Sequence, residues 1–188
     1  VLSAESLVVN ILKRAKELAT KGEELFCTEA LRFFLYHQRD KASFLNDEEV
    51  LFQFSELDDF DIMSSIKMWR KHPDKVLSAL CRSLIERSLY KIKLTQEKPA
   101  KEEVQKLKDE LKSKFNLSAK ECDYFVFSGS IANNAYNPQK DKINLLYKDG
   151  NIEDIAMAAD QLNISVLSES VRKHFLCYPK KGMIEGLK

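Results

Sequence analysis

Side chains able to do chemistry are sparse in this chain, and their spacing limits what they can do. The densest group is Asp58-Asp59-Phe60-Asp61, three carboxylates within four positions. Paired carboxylates can hold a divalent cation or divide acid and base roles. The same group stands directly ahead of an apolar-periodic run, Ile62, Met63, Ile66 and Trp69, and that is where acidic groups cap a helix N-terminus. The spacing favours capping, with Asp59 as the cap. The three histidines, His37, His72 and His174, each lack a second metal ligand at helical spacing. Four cysteines stand far apart, at Cys27, Cys81, Cys122 and Cys177. That pattern fits reduced thiols better than a zinc ribbon or a disulfide framework. Glycine-rich phosphate loops, the dinucleotide fingerprint and the nucleophile elbow are all absent from the sequence. Spacing alone composes no catalytic centre here.

The elements that would carry these groups change character near the middle of the chain. From Leu7 to Ala19, the residues Leu7, Val8, Ile11, Leu12, Ala15, Leu18 and Ala19 trace a 3.6-residue stripe. Lys13, Arg14, Lys16 and Glu17 fall on the other face, and Gly22 is placed to stop the helix. Ala30 to Tyr36 reads as a short buried helix, and Asn46-Asp47-Glu48-Glu49 as another helix start. The helix beginning near Asp59 should end at His72-Pro73, and Trp69 should be buried between it and its neighbour. Asp74 caps that neighbour, whose stripe is Val76, Leu77, Leu80, Cys81, Leu84 and Ile85.

After about Arg87 the period shortens. Leu89 to Leu94 alternates as a half-buried strand. Pro99 opens a helix at its first-turn position, with Val104, Leu107, Leu111 and Phe115 inward and a lysine-rich solvated face. Tyr124–Phe127, Ile143–Tyr147, Ile152–Ile155 and Lys173–Tyr178 read as further strands, with Asp149-Gly150 as a hairpin turn. The polar stretch from Ser128 to Lys142 reads as the most mobile loop. The expected class is α+β: an N-terminal all-helical block, residues 1–88, followed by a small α/β domain, residues 89–188. The latter would be an antiparallel sheet of β-α-β-β-β-β order with one covering helix.

With 188 residues, 44% apolar and 31% charged, the chain can bury a real core, which excludes intrinsic disorder. Only 5 Gly and 4 Pro favour long regular elements. A formal net charge of +1 weighs against nucleic acid and acidic membranes as partners. No apolar run approaches the ~20 residues that span a bilayer. Val1-Leu2-Ser3-Ala4-Glu5 carries no signal-peptide core, so the expected location is the cytoplasm.

The run Leu57-Asp58-Asp59-Phe60-Asp61-Ile62, with Ile66 and Trp69 after it, resembles the C-terminal half of HD-superfamily phosphohydrolases. So does Leu84-Ile85-Glu86-Arg87-Ser88-Leu89-Tyr90-Lys91, and the ending Val171 to Lys180 fits the same pattern. Val1 to Leu18 looks like the helix that follows the family's catalytic core. More distant relatives are the deoxynucleoside triphosphate triphosphohydrolases that carry a sterile-alpha-motif. The resemblance implies a metal-dependent parent whose histidine, His-Asp dipeptide and distant aspartate hold a divalent metal against a phosphate. This sequence has no His-Asp dipeptide, so the chain would be the non-catalytic tail, with an N-terminal HD catalytic half as its partner. In nucleotide-regulated relatives an Arg-x-Leu-x-Lys element contributes to an effector-nucleotide site between subunits. It maps here onto Arg87, Leu89 and Lys91, which implies a homo-oligomer. The chain departs from those relatives at Ala159, where they offer a further lysine.

Arg87 has a second reading, as a helix-end residue meeting the carbonyl dipole, with Lys91 and Lys93 on the solvent face of a strand. Three function classes follow: a regulatory and assembly tail, a pure oligomerisation module, and a nucleic-acid appendage. Near-neutral charge weighs against the third. Ligand binding divides the first two.

Overall fold

Helix α1 (Leu2–Thr20) is the spine of the helical part, burying Leu7, Ile11, Ala15, Leu18 and Ala19. It ends as the glycine predicts. Gly22 sits at φ 87 and donates to Ala19 O, while Glu23 N–H donates to Leu18 O at 3.1 Å, a paired left-handed cap that satisfies two free carbonyls. This description comes from a computed structural model and covers residues 1–132, 143–158 and 172–180.

Five further helices follow: α2 (Glu29–Tyr36), α3 (Lys41–Asn46), α4 (Glu48–Glu56), α5 (Asp59–Trp69) and α6 (Lys75–Ile85). α1 packs on α6 and α2, and α5 packs on α6. Their shared core is fully buried at Leu7, Ile11, Ile66, Trp69, Leu77 and Leu80. Trp69 is 1% exposed, and its Nε1–H donates to Phe26 O at 2.8 Å. The indole is thus both packed and satisfied, as buried Trp requires.

Several expectations shift. The cap of α5 is Asp58 rather than Asp59, because Asp58 Oδ1 accepts from the Phe60 and Asp61 N–H groups and Asp61 answers its backbone N–H. α3 has no counterpart in the sequence pattern; its six residues bury none of their side chains, so no apolar stripe announces it. Arg14 does not face solvent: it is 7% exposed. Pro99 lies one residue outside the cap of α7 (Lys101–Phe115), whose cap is Ala100.

The strands also move. β1 is Lys91–Thr95, two residues later than the alternation suggests, because Tyr90 is buried ahead of it. Tyr124–Phe127 is mostly not a strand: a short helix α8 (Ala119–Cys122), opened by a Ser118–Glu121 capping box, carries the chain through a turn. β2 then runs Phe127–Ala132, starting at the last residue of the expected strand and continuing into the stretch read as loop, and the rest of that stretch, residues 133–142, lies outside the described residues. β3 (Asn144–Leu146) and β4 (Ile152–Asp154) pair antiparallel around the expected turn, with Gly150 at φ 86. A four-residue helix α9 (Ile155–Ala158) and β5 (Arg172–Tyr178) complete the order.

Among the described residues the strands form two sheets instead of one, β1-β5-β2 and β3-β4. The class is α+β, as expected. β5 is the central strand, and Phe175, Leu176 and Cys177 are buried consecutively, the mark of a strand covered on both faces. The chain forms two compact units. One comprises Val1–Lys93, Ala100–Ser128 and the strand end from Leu176, and the other comprises Leu94–Pro99 and the described parts of Gly129–Phe175.

Candidate functional site

The element from Arg87 to Lys91 begins where α6 stops. Glu86 closes the helix at φ −84, ψ 4, and Arg87 then takes φ 55, the left-handed region. Its N–H donates to Leu84 O at 3.1 Å, half of the bonding pattern that normally places glycine here. An arginine at this position costs about 1–2 kcal/mol of backbone strain relative to its right-handed alternative. Its side chain is exposed.

Ser88 and Leu89 are half-buried, and Tyr90 is buried at 3% exposure with its ring 6.5 Å from that of Phe125. Burial pushes the Tyr90 phenol well above its ordinary range. Tyr90 therefore works as an anchor, with Arg87 before it and Lys91 after it both at the surface.

The charges on this element are not equivalent. Lys93 is neutralised by Glu103 of α7 at 2.7 Å. Lys91 Nζ instead lies 5.9 Å from the ring centroid of Tyr178 on the neighbouring strand, a weak cation–π contact that leaves its donors free. Among the described residues neither Arg87 nor Lys91 has a carboxylate partner. An arginine offers an oxyanion a two-pronged fork of donors and a lysine a point charge. The helix-end reading accounts for the placement of Arg87 past α6. It does not account for a residue other than glycine at φ 55.

Asp58 and Asp61 are occupied by the α5 capping box, and the Asp58 backbone N–H holds the Asp61 carboxyl below its usual range. His72 Nδ1 accepts from Asp74 N–H at 3.0 Å, His37 follows the last turn of α2, and His174 is half-buried in β5. Among the described residues no three His, Cys, Asp or Glu side chains gather as a metal site. The divalent metal of the resembled family therefore has no fitting donor set in them. Ala159, where the resembled relatives carry a further lysine, lies outside the described residues.

Sequence reasoning misses one charged cluster. Arg14 Nε and Nη2 grip the Asp74 carboxylate at 3.1 and 2.6 Å, and Nη1 reaches Glu17 at 3.1 Å. Glu17 also accepts from Lys120, Lys21 and the Tyr124 hydroxyl at 2.7, 2.9 and 2.7 Å. Asn10 Nδ2–H donates to Tyr124 O. Asp74 at the same time caps α6 through Leu77 N–H at 2.7 Å. This cluster ties α1, α6 and the α8 turn together and is structural. A signal for it does exist: Arg14 is seven residues from Leu7 and four before Leu18, squarely on the stripe.

No family model matches the chain. A solved phosphohydrolase of Bacteroides thetaiotaomicron is 41% identical with a TM-score of 0.78, the match covering 95% of this chain and 44% of that one. The uncharacterized protein YwfO of Bacillus subtilis (strain 168) is 26% identical over 193 residues, covering 99% of this chain and 41% of that protein. The chain thus spans less than half the length of each of these relatives. At that identity and structural agreement it is related to the Bacteroides phosphohydrolase in more than fold.

Proposed function

We propose that these 188 residues are the non-catalytic regulatory and assembly part of an HD-family, metal-dependent nucleotide phosphohydrolase. Support for the class is the 41% identity to a phosphohydrolase across 95% of the chain. In this reading the catalytic half, with its divalent metal, is another part of a longer polypeptide that assembles as a homo-oligomer. Arg87 and Lys91 receive the phosphates of an effector nucleotide, with Leu89 packing beneath it. The observation that carries the site is Arg87, exposed, without a carboxylate partner among the described residues, and held at φ 55.

The reading is tested by phosphate and triphosphate release from nucleotides with Mn²⁺, Mg²⁺ or Ni²⁺. The isolated chain should not exceed a no-protein control, whereas the longer polypeptide should turn over. Metal-dependent turnover by the isolated chain, lost on Asp58→Asn with Asp59→Asn, contradicts both the capping role of Asp58 and the non-catalytic assignment.

A further inference from the structure

The neighbour of the Lys91 ammonium is a ring and not a carboxylate. Lys91 opens β1, and Tyr178 closes β5, the strand beside it. Lys91 Nζ stands 5.9 Å from the centroid of the Tyr178 ring, within the roughly 6 Å over which a ring face attracts a cation. Both residues belong to the same compact unit. Each also follows a fixed point: Tyr90 is buried just before Lys91, and Cys177 just before Tyr178. Tyr178 is half-buried and Lys91 exposed, so the ring is braced by the sheet while the ammonium stays open to solvent.

Lys93 supplies the contrast. It lies two residues further along the same strand, and its charge is taken up by Glu103 at 2.7 Å. A carboxylate neutralises the cation it holds, whereas an aromatic face attracts a cation without cancelling its charge. A lysine is a point charge on a flexible stem, and confining that stem costs entropy that a ligand has to overcome. A ring that already confines the ammonium on one side lowers this cost. It also leaves the other N–H donors for an oxyanion.

We infer that Tyr178 is a positioning residue, whose ring face holds the Lys91 ammonium ready for the phosphates of the effector. This rests on the nucleotide site proposed above. The role belongs to the ring face rather than the hydroxyl, and it acts through Lys91. The test is a double-mutant cycle in the longer polypeptide, read as the calorimetric Kd for guanosine and adenosine triphosphates. Tyr178→Leu and Tyr178→Met keep an apolar side chain on β5 but remove the ring. Each should weaken binding by about two- to fivefold, the size of an exposed cation–π contact. Tyr178→Phe keeps the ring face and should bind as the wild type does. In a Lys91→Met background, Tyr178→Leu should have no further effect. A cost of Tyr178→Leu that is the same with and without Lys91 overturns the inference, because the ring then serves the fold or touches the ligand itself. So does a loss in Tyr178→Phe equal to that in Tyr178→Leu, which gives the role to the hydroxyl. Wild-type binding that both ring-removing variants leave unchanged sinks the positioning role and spares the effector site. No binding by the wild type sinks the effector site, and this inference with it.

Discussion

Arg87 and Arg14 show how differently one residue type is used in this chain. Arg87 occupies a left-handed position that glycine adopts without strain. If its side chain serves a ligand rather than the fold, Arg87→Gly relieves the backbone and raises stability by up to about 1 kcal/mol. For a chain this size that is a rise in melting temperature of about 2–4 °C. A drop in melting temperature instead assigns Arg87 a structural role. Arg14 is the opposite case, buried and chelated by Asp74 and Glu17. Arg14→Met leaves the part-buried Asp74 without its cation, while Glu17 keeps Lys120 and Lys21, and a loss of about 3–5 kcal/mol is expected in chemical denaturation. Adding Asp74→Asn should recover part of that loss, while the α6 cap it supplies is weakened.

Elements were legible where an apolar period and a cap coincided. α5 and α6 carry both, and their stripes place Ile66, Trp69, Leu77 and Leu80 in the core, where they are found. Trp69→Ala should therefore cost about 3–5 kcal/mol, read as a lowered denaturation midpoint. An unchanged midpoint would mean that the α5–α6 packing is wrong. α3 and α8 escaped because six and four residues are too short to show a period, and their capping boxes at Asp40–Ser43 and Ser118–Glu121 were the available signal. The single sheet expected from alternation divides in two because strand pairing is a long-range choice that local pattern does not specify. Of the site, residue types and order were readable; the positive φ at Arg87 was not, since a left-handed cap ordinarily announces itself by a glycine, nor were the burial of Tyr90 against Phe125 and the Lys93–Glu103 pair, which depend on neighbours on other elements.

At the scale of the molecule, the carboxylates of the Arg14 cluster set the acid limit of stability. The hydrogen bond from Lys120, helped by Lys21, Tyr124 and Arg14, holds Glu17 far below its usual range, and Arg14 draws Asp74 down against its burial. Both groups take up protons more readily unfolded than folded, so their stabilisation is complete above about pH 5 and is lost as pH falls through about 4 and below. Melting temperature should be flat from pH 7 to about 5 and then fall, with a shallower fall in Asp74→Asn. Regulation is the claim on which the functional account turns, and one measurement meets it directly: calorimetric titration of guanine and adenine nucleotides into the longer polypeptide, wild type and Arg87→Gly. Losing a charged hydrogen-bonding group should weaken a phosphate ligand by about 1.5–3 kcal/mol, tenfold or more in Kd. Saturable binding by the wild type is expected, with at least that loss in the variant. Equal affinity in the two forms, or no binding by either, contradicts a regulatory site and leaves Arg87 to Lys91 as the end of a helix and the start of a strand.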